Sequence, residues 1–169
     1  KGIPAGLLMT MLRGMLRAEV LTGLPPDRIL HDLNQLAMYD LDQSHRFVTL
    51  FYSDYDPRTQ KLRYANAAHN PPLLWKNAQK KIVKLDAEGF VLGLQKDAEY
   101  KCGEIKLNKS DVILYYTDGF TETSNKLGER FGENNLIHFF SNLCKKDLSS
   151  KEILEKIFKI LDNFSGNNR

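Results

Sequence analysis

The chain has 169 residues, of which 42% are hydrophobic, and a formal net charge of +3 at pH 7. This length and composition suit one globular domain with its own core and exclude an intrinsically disordered chain. The small net charge, spread along the sequence, excludes a strongly basic protein that binds nucleic acid. No apolar run approaches the roughly 18 residues of a membrane-spanning helix.

The N-terminal part of the chain has helical periodicity. Apolar residues recur every three to four positions, which predicts helices over residues 1–21 and 28–41, with Asp27 placed to cap the second. We expect Gly6 and Gly14 to allow close approach of another element. The residues expected to face the core are Ile3, Leu7, Leu8, Met9, Met11, Leu12, Met15 and Leu16 in the first helix, and Ile29, Leu30, Leu33, Leu36 and Ala37 in the second.

From residue 46 onward the apolar period changes to two, which is typical of β-strands. A β-hairpin is predicted, with strands at residues 46–56 and 61–68 around a proline-containing turn. Two glycine-containing segments, residues 86–94 and 125–132, are predicted loops. The other predicted strands are residues 71–75, 80–85, 99–107 and 112–117, the last of them buried.

Two more helices are predicted near the C-terminus, at residues 133–144 and 149–164. Ser149 and Glu152 have the spacing of a capping box, which supports the second of these. An order of helices, hairpin-linked strands and helices predicts an α+β fold with antiparallel sheet. We find no repeat and no internal boundary, and predict a single domain over residues 1–169.

An acid follows the apolar run at the end of the last predicted strand, in the segment LYYTDGFTETS. A strand would fix the backbone of Asp118, and Gly119 would allow a sharp turn and the close approach of a ligand. A fixed carboxylate suits a hard divalent cation. Thr117, Thr121 and Glu122 are placed to hydrogen-bond that carboxylate or waters on the metal. From this stretch alone, a plain Asp-Gly turn remains the alternative.

Six segments of the sequence occur together in one order: KGIPAGLLM, LHDLNQLA, FVTLFYSDYDPRTQKLRYANAAHNPPLLW, GFVLGL, YYTDGFTET and RFG. Over nearly the whole chain they resemble the metal-dependent protein phosphatase (PPM) superfamily in its bacterial RsbU/SpoIIE-type branch. The resemblance implies an α-β-β-α sandwich of two mainly antiparallel sheets flanked by helices. It also implies hydrolysis of phosphoserine or phosphothreonine by water activated at two Mn²⁺ or Mg²⁺ ions.

Carried onto this sequence, the resemblance makes Asp118 a metal ligand. The family's other metal aspartates lie in an Asp-x-Ser-Gly segment just before the part matched at Gly2, and in an Asp-Asp-x-Thr segment after the final helix. Neither segment is among the 169 residues. We therefore expect the fragment alone to be inactive and the other ligands to lie outside it. Asp162 continues a helical pattern and is interpreted as a polar helix end.

The segment AAHN departs from the family's Ala-Gly-His-Asn. Ala68 stands in the glycine's place, and if that position needs a positive φ, alanine costs about 1 kcal/mol there. His69 is a candidate general acid toward the leaving serine oxygen, with a structural hydrogen-bonding role as the alternative. Asn70 is predicted to fix the loop before two prolines.

The resemblance also implies partners. The family's usual substrate is a phosphorylated STAS-domain anti-sigma factor antagonist, and its dephosphorylation regulates a sigma factor by partner switching. The first two predicted helices are a candidate switch, biased by an upstream sensor domain in the same chain or by a homodimer partner.

The sequence leaves alternatives open for both the cellular location and the function of the protein. Cys102 and Cys144 predict free thiols in a reducing cytoplasm, although an upstream domain would allow a membrane tether. The alternative function is a catalytically inactive phosphatase-like module that binds signalling partners. A further alternative is an unrelated α+β domain in which TDG forms a turn.

Overall fold

The computed structural model describes residues 2–146 and 148–166. Its order of helices, strands and helices, with antiparallel strand pairing, confirms the predicted α+β class. In this part of the chain no helix is both long and apolar enough to cross a membrane. The helices are α1 (Ile3–Val20), α2 (Pro26–Gln43), α3 (Asp118–Thr121), α4 (Gly132–Cys144) and α5 (Ser150–Ser165); the strands are β1 (Leu50–Asp56), β2 (Lys61–Ala67), β3 (Leu73–Lys76), β4 (Lys81–Lys84), β5 (Gly103–Lys106) and β6 (Val112–Leu114).

The contacts within the chain group into two compact units. The first unit contains the residues up to Pro71 together with Asp86–Leu107, and the second contains Pro72–Leu85 together with the residues from Asn108 onward. That the chain forms one domain stays a prediction.

In the first unit, β1, β2 and β5 form an antiparallel sheet with β2 in the centre. The β1–β2 hairpin is confirmed, with Leu50 opposite Ala67. Helix α2 packs against β2, and most of its predicted apolar face is buried, which confirms the predicted helical period. The residues of that face with no solvent exposure are Leu30, Leu33, Ala37 and Leu41.

Helix α1 leaves much of its apolar stripe in solvent. Leu12 is buried, but Ile3, Leu7 and Met9 are exposed. The expectation that these three residues lie in the core is wrong, because α1 packs mainly against α2, and a single neighbouring helix covers only part of so wide a stripe. The predicted close approach at Gly6 and Gly14 is also wrong, since an added Cβ would have no neighbour within 4 Å at either position.

Helix α2 begins two residues earlier than predicted. Pro26 occupies its first turn, and Pro25 is the N-cap. Proline is tolerated in the first turn because an N–H group there has no acceptor within the helix. Asp27 lies inside the first turn and not at the cap, so that prediction is wrong, although an acid there still favours the positive end of the helix dipole. Leu36, expected to be in the core, is 51% exposed.

In the second unit, β4, β3 and β6 form an antiparallel sheet with β3 in the centre. Trp75 on β3 is 1% exposed and belongs to a core that α4 and α5 complete. The predicted capping box at the start of α5 is confirmed: the Glu152 N–H donates to Ser149 Oγ, and the Ser149 N–H donates to the Glu152 carboxylate. Asp162 lies within α5 as predicted.

Both cysteines are free thiols, as predicted, with Cys102 exposed and Cys144 buried. Burial raises the pKa of the Cys144 thiol to about 11, so this thiol is protonated at neutral pH and acts as a small core residue.

Candidate active site

The segment that carries Asp118 differs from its prediction. Strand β6 ends at Leu114, three residues earlier than expected, so sheet pairing does not fix Asp118. Thr117 is extended, with φ −112° and ψ 168°, and Asp118 is the first residue of the one-turn helix α3. Strand β6 pairs only with the residues of β3 from Leu73 to Trp75, and Leu73 is the partner of Leu114.

Two aromatic residues anchor this segment in place of the strand. Tyr116 is 9% exposed, and its hydroxyl donates a 2.8 Å hydrogen bond to Glu133 Oε1. Phe120 packs against Phe131 and Phe158, with ring centroids 6.3 and 5.7 Å away. Asp118 therefore lies midway between two residues that are packed into the core of the second unit.

The Tyr116–Glu133 hydrogen bond has a defined polarity. Burial, reinforced by Glu133, raises the pKa of the Tyr116 hydroxyl, which therefore stays protonated and donates. Lys84 Nζ lies 2.5 Å from Glu133 Oε2 and lowers the pKa of that carboxyl, against the smaller opposing effect of burial. Glu133 is consequently an ionised acceptor that bridges Tyr116 and Lys84.

The Asp118 carboxylate is exposed and uncommitted. Within residues 2–146 and 148–166 no side chain forms an ion pair or hydrogen bond with it. The main-chain carbonyl of Asp118 accepts instead, from the Glu122 N–H at 2.8 Å and from Thr121 Oγ1 at 3.2 Å. A carboxylate with no internal partner is available to an external ligand.

The predicted neighbours of Asp118 are nearby in the chain but are engaged elsewhere. The Thr121 hydroxyl bonds the main chain, and the Glu122 carboxylate accepts from Arg130 at 3.2 Å. Thr117 is exposed and makes no side-chain cap. Gly119 has no positive φ, and an added Cβ would lie 3.6 Å from Thr117 Oγ1, which is an ordinary contact. The fold therefore does not itself require glycine at this position.

Asp118 fits one position in the coordination of a divalent cation. An ionised carboxylate is the donor that Mg²⁺ and Mn²⁺ prefer, and this one is exposed and unpaired. The fit is incomplete, because the part of the chain that the structure describes contains no group of three His, Cys, Asp or Glu side chains able to hold a metal ion.

His69 lies in the first unit, in the loop that follows β2. Ala68 has φ 53°, so the left-handed backbone expected for the family's glycine is present here with a Cβ. The buried Asn66 holds the loop: its Oδ1 accepts from the His69 N–H at 2.8 Å, and its Nδ2 donates to the His69 carbonyl at 2.9 Å. His69 Nδ1 lies 3.1 Å from Thr49 Oγ1. The imidazole is thus oriented through Nδ1, and its Nε2 has no hydrogen-bond partner in the part of the chain that the structure describes.

An open cavity of about 520 Å³ lies beside His69 within the same unit. Sequence reasoning missed Asp86, whose Oδ1 accepts from Asn66 Nδ2 at 3.1 Å. The available signal was Asn66 itself, because an asparagine between two alanines at the buried end of a strand needs hydrogen-bond partners. The cavity is lined by Asn66, Ala68, His69, Pro71, Asp86, Ala87, Glu88 and Gly89.

The two remaining predicted positions are in the first unit. Asn70 is half-buried in the loop before Pro71 and Pro72. Gly2 is the N-cap of α1, with φ 94°, and its carbonyl accepts from the Gly6 N–H at 3.2 Å. Glycine is favoured there because this φ is strained for any residue with a Cβ. Asp118 belongs to the second unit, so the predicted site residues are divided between the two units.

The comparisons with known proteins agree with one another. The family described as Stage II sporulation protein E (SpoIIE) matches residues 1–169. Phosphoserine phosphatase RsbU of Bacillus subtilis is 33% identical over 163 residues, which cover 95% of this chain and 47% of RsbU. Phosphoserine phosphatase RsbP of the same species is 26% identical over 121 residues, which cover 70% of this chain and 30% of RsbP. The chain thus spans less than half the length of either relative.

Solved structures confirm the predicted fold. The SiaA-PP2C domain of Pseudomonas aeruginosa matches with a TM-score of 0.82 and 19% identity, over 99% of this chain and 66% of that domain. A Mycobacterium tuberculosis structure of RsbU and RsbW domains matches with a TM-score of 0.79 and 20% identity, over 97% of this chain and 45% of that one. At these identities the likeness establishes the PP2C-type fold.

Proposed function

Because the chain belongs to the SpoIIE family, we propose that it is the core of a metal-dependent protein-serine/threonine phosphatase. The proposed reaction is hydrolysis of a phosphoserine ester on a protein substrate. The observation that carries the proposal is the Asp118 carboxylate, exposed and without a partner among the described residues, between the anchored residues Tyr116 and Phe120. Two relatives described as phosphoserine phosphatases support the substrate class.

Asp118 is proposed as a metal ligand. Aspartates from segments that flank these 169 residues are proposed to supply the other ligands of the metal site. A pair of Mn²⁺ or Mg²⁺ ions, when bound, lowers the pKa of a water nucleophile and stabilises charge on the phosphoryl oxygens. Gly119 leaves room beside the carboxylate for a substrate to approach the backbone. Thr117, Thr121 and Glu122 are close to Asp118 along the chain and are proposed to bond waters of the hydrated site.

His69 is proposed to protonate the leaving serine oxygen from Nε2. Thr49 engages Nδ1 and the Asn66 side chain holds the His69 main chain on both sides, so the ring is oriented before a substrate arrives. A positioned imidazole can act as a general acid toward a developing alkoxide. Asn70 and Gly2 are proposed to shape the adjoining loops.

The proposed substrate protein is a phosphorylated STAS-domain anti-sigma factor antagonist. RsbU and RsbP, both described as phosphoserine phosphatases, support phosphoserine as the group that is hydrolysed. We propose a cytoplasmic location, regulation by an upstream sensor domain or by homodimerisation, and release of a sigma factor as the downstream effect.

A second candidate function is a phosphatase-like module that binds partners without catalysis. One observation favours it: within the described ranges no three acidic, histidine or cysteine side chains form a metal-binding group. Aspartates in the flanking segments of the natural polypeptide would favour the enzyme, and other residues at those positions would favour the binding module.

The proposal is tested by Mn²⁺-dependent release of phosphate from a phosphoserine peptide, using the longest natural polypeptide that contains this sequence. Asp118→Asn removes a charged ligand and keeps the side-chain shape, so we expect turnover to fall by more than about 100-fold. Asp162→Asn is the matched control, because Asp162 is a helix residue in α5, and it should retain wild-type turnover. Wild-type turnover by Asp118→Asn would refute the assignment.

A further inference from the structure

A part-buried hydrogen bond and an adjoining ion pair in the second unit connect three elements of the fold. Tyr116 Oη donates to Glu133 Oε1 at 2.8 Å, and Glu133 Oε2 lies 2.5 Å from Lys84 Nζ. Tyr116 precedes α3, Glu133 is in the first turn of α4, and Lys84 is the last residue of β4. The three side chains therefore connect the segment before Asp118 to a helix and to a sheet edge.

The segment needs this connection because its strand ends early. Leu114 is the last residue of β6 paired with β3, which leaves three residues between the sheet and Asp118. Of these, Tyr115 is 51% exposed and Thr117 is exposed, whereas Tyr116 is 9% exposed. Tyr116 is thus the last buried residue before the proposed metal ligand, two positions away from it.

If the Tyr116 ring were held by packing alone, the position of this segment would be less well defined than it is with the hydrogen bond. A hydrogen bond to a carboxylate is directional and stronger than one between neutral groups. Glu133 is itself constrained by Lys84 and by its place in the first turn of α4, where an acid is favoured by the helix dipole. The acceptor is therefore fixed, and it fixes the hydroxyl that it binds.

We propose that Tyr116 and Glu133 are positioning residues: their hydrogen bond holds the segment so that the Asp118 carboxylate is preorganised for a divalent cation. This inference rests on the proposed function, since it assigns a role to residues around the same ligand. Neither residue is proposed to contact metal or substrate. Groups that orient a metal ligand typically change metal affinity by about 10- to 100-fold when they are removed.

The test measures the affinity for Mn²⁺ alone, by electron paramagnetic resonance of the free ion, in the longest natural polypeptide that contains this sequence. Tyr116→Phe removes only the hydroxyl and should weaken Mn²⁺ binding about tenfold. Glu133→Ala removes the acceptor and should weaken it at least equally. Glu133→Gln keeps an oxygen that accepts from Tyr116 and should recover most of the affinity.

A matched control separates positioning from general stability. Tyr100→Phe also removes a buried tyrosine hydroxyl, one without a hydrogen-bond partner in the described structure, and should leave Mn²⁺ affinity unchanged. In the metal-free protein, amide exchange at Phe120 and Glu122, whose N–H groups bond Thr117 and Asp118, should accelerate in Tyr116→Phe and not in Tyr100→Phe.

The outcomes distinguish this inference from the proposed function. Wild-type Mn²⁺ affinity and amide exchange in both Tyr116→Phe and Glu133→Ala would overturn the positioning role, provided that Asp118→Asn loses Mn²⁺ binding. If Asp118→Asn itself binds Mn²⁺ as the wild type does, the proposed metal site fails, and the positioning role fails with it.

Discussion

Strand β6 has an aspartate near each end, and the two are in opposite environments. Asp111, immediately before the strand, has a side chain that is 2% exposed and accepts from Lys76 Nζ at 2.5 Å. It also accepts from the main-chain N–H groups of Asn77 and Asn108, each at 2.9 Å. Asp118, four residues after the strand, is exposed and has no side-chain partner within the described residues.

The contrast shows how burial assigns different roles to the same residue type. A buried carboxylate must have its hydrogen bonds satisfied inside the protein, so Asp111 is committed to the fold. An exposed carboxylate on an anchored backbone keeps its oxygens for an outside ligand. The segment DVILYYTD has an acid at each end, and its sequence alone does not tell which one is structural.

The largest expected difference is in stability. Asp111→Asn removes the negative charge that faces the buried ammonium of Lys76, a residue 7% exposed, and should lower the free energy of unfolding by about 3 kcal/mol. Asp118→Asn should change it by less than about 0.5 kcal/mol, because the side chain is exposed. Urea unfolding of the metal-free protein measures both. Equal losses would remove the contrast between the two ends of β6.

The same contrast predicts a dependence on pH. Burial would raise the pKa of Asp111, but Lys76 and the two main-chain N–H groups together lower it below its usual value. The stability that Asp111 contributes is therefore fully present above its unfolded pKa of about 4 and is lost as the pH falls through the lower, folded value.

The measurement is the difference in unfolding free energy between wild type and Asp111→Asn. This difference should be constant from about pH 7 to about pH 5 and should shrink below about pH 4, as Asp111 becomes protonated. Comparing the two proteins removes the contribution of other acids. A difference that stays the same down to about pH 3 would contradict the assignment of a lowered pKa to Asp111.

A small effect is expected at Gly119. Alanine fits there, because its Cβ would make only an ordinary contact with Thr117 Oγ1 at 3.6 Å, and it is the better helix former, so Gly119→Ala should stabilise the protein by less than about 1 kcal/mol. At Gly103 an added Cβ would lie 2.4 Å from the Tyr64 ring, so Gly103→Ala is the destabilising control. Loss of stability in Gly119→Ala would mean that the space beside Asp118 is more closely packed than described.

Local patterns predicted the helices well. The period of apolar residues identified α2 and α5, and the spacing of Ser149 and Glu152 identified the capping box. The change to a period of two identified the β1–β2 hairpin. These features depend on neighbours along the chain, so the sequence contains the information directly.

Features that depend on distant residues were missed. The end of β6 is set by the length of its partner β3, and the exposure of Met9 depends on how far α2 covers α1. The bond between Asn66 and Asp86 joins residues 20 positions apart. The assignment of Asp118 as a metal ligand follows from the family resemblance and stays a prediction, whereas the hydrogen bonds that hold its segment are visible only in the structure.

Binding of a divalent cation by the Asp118 carboxylate can be observed directly, by the anomalous scattering of manganese in crystals of the longest natural polypeptide that contains this sequence. We expect a manganese peak about 2 Å from an Asp118 carboxylate oxygen, and its loss in Asp118→Asn. Manganese bound elsewhere, with the Asp118 carboxylate facing solvent, would contradict this expectation.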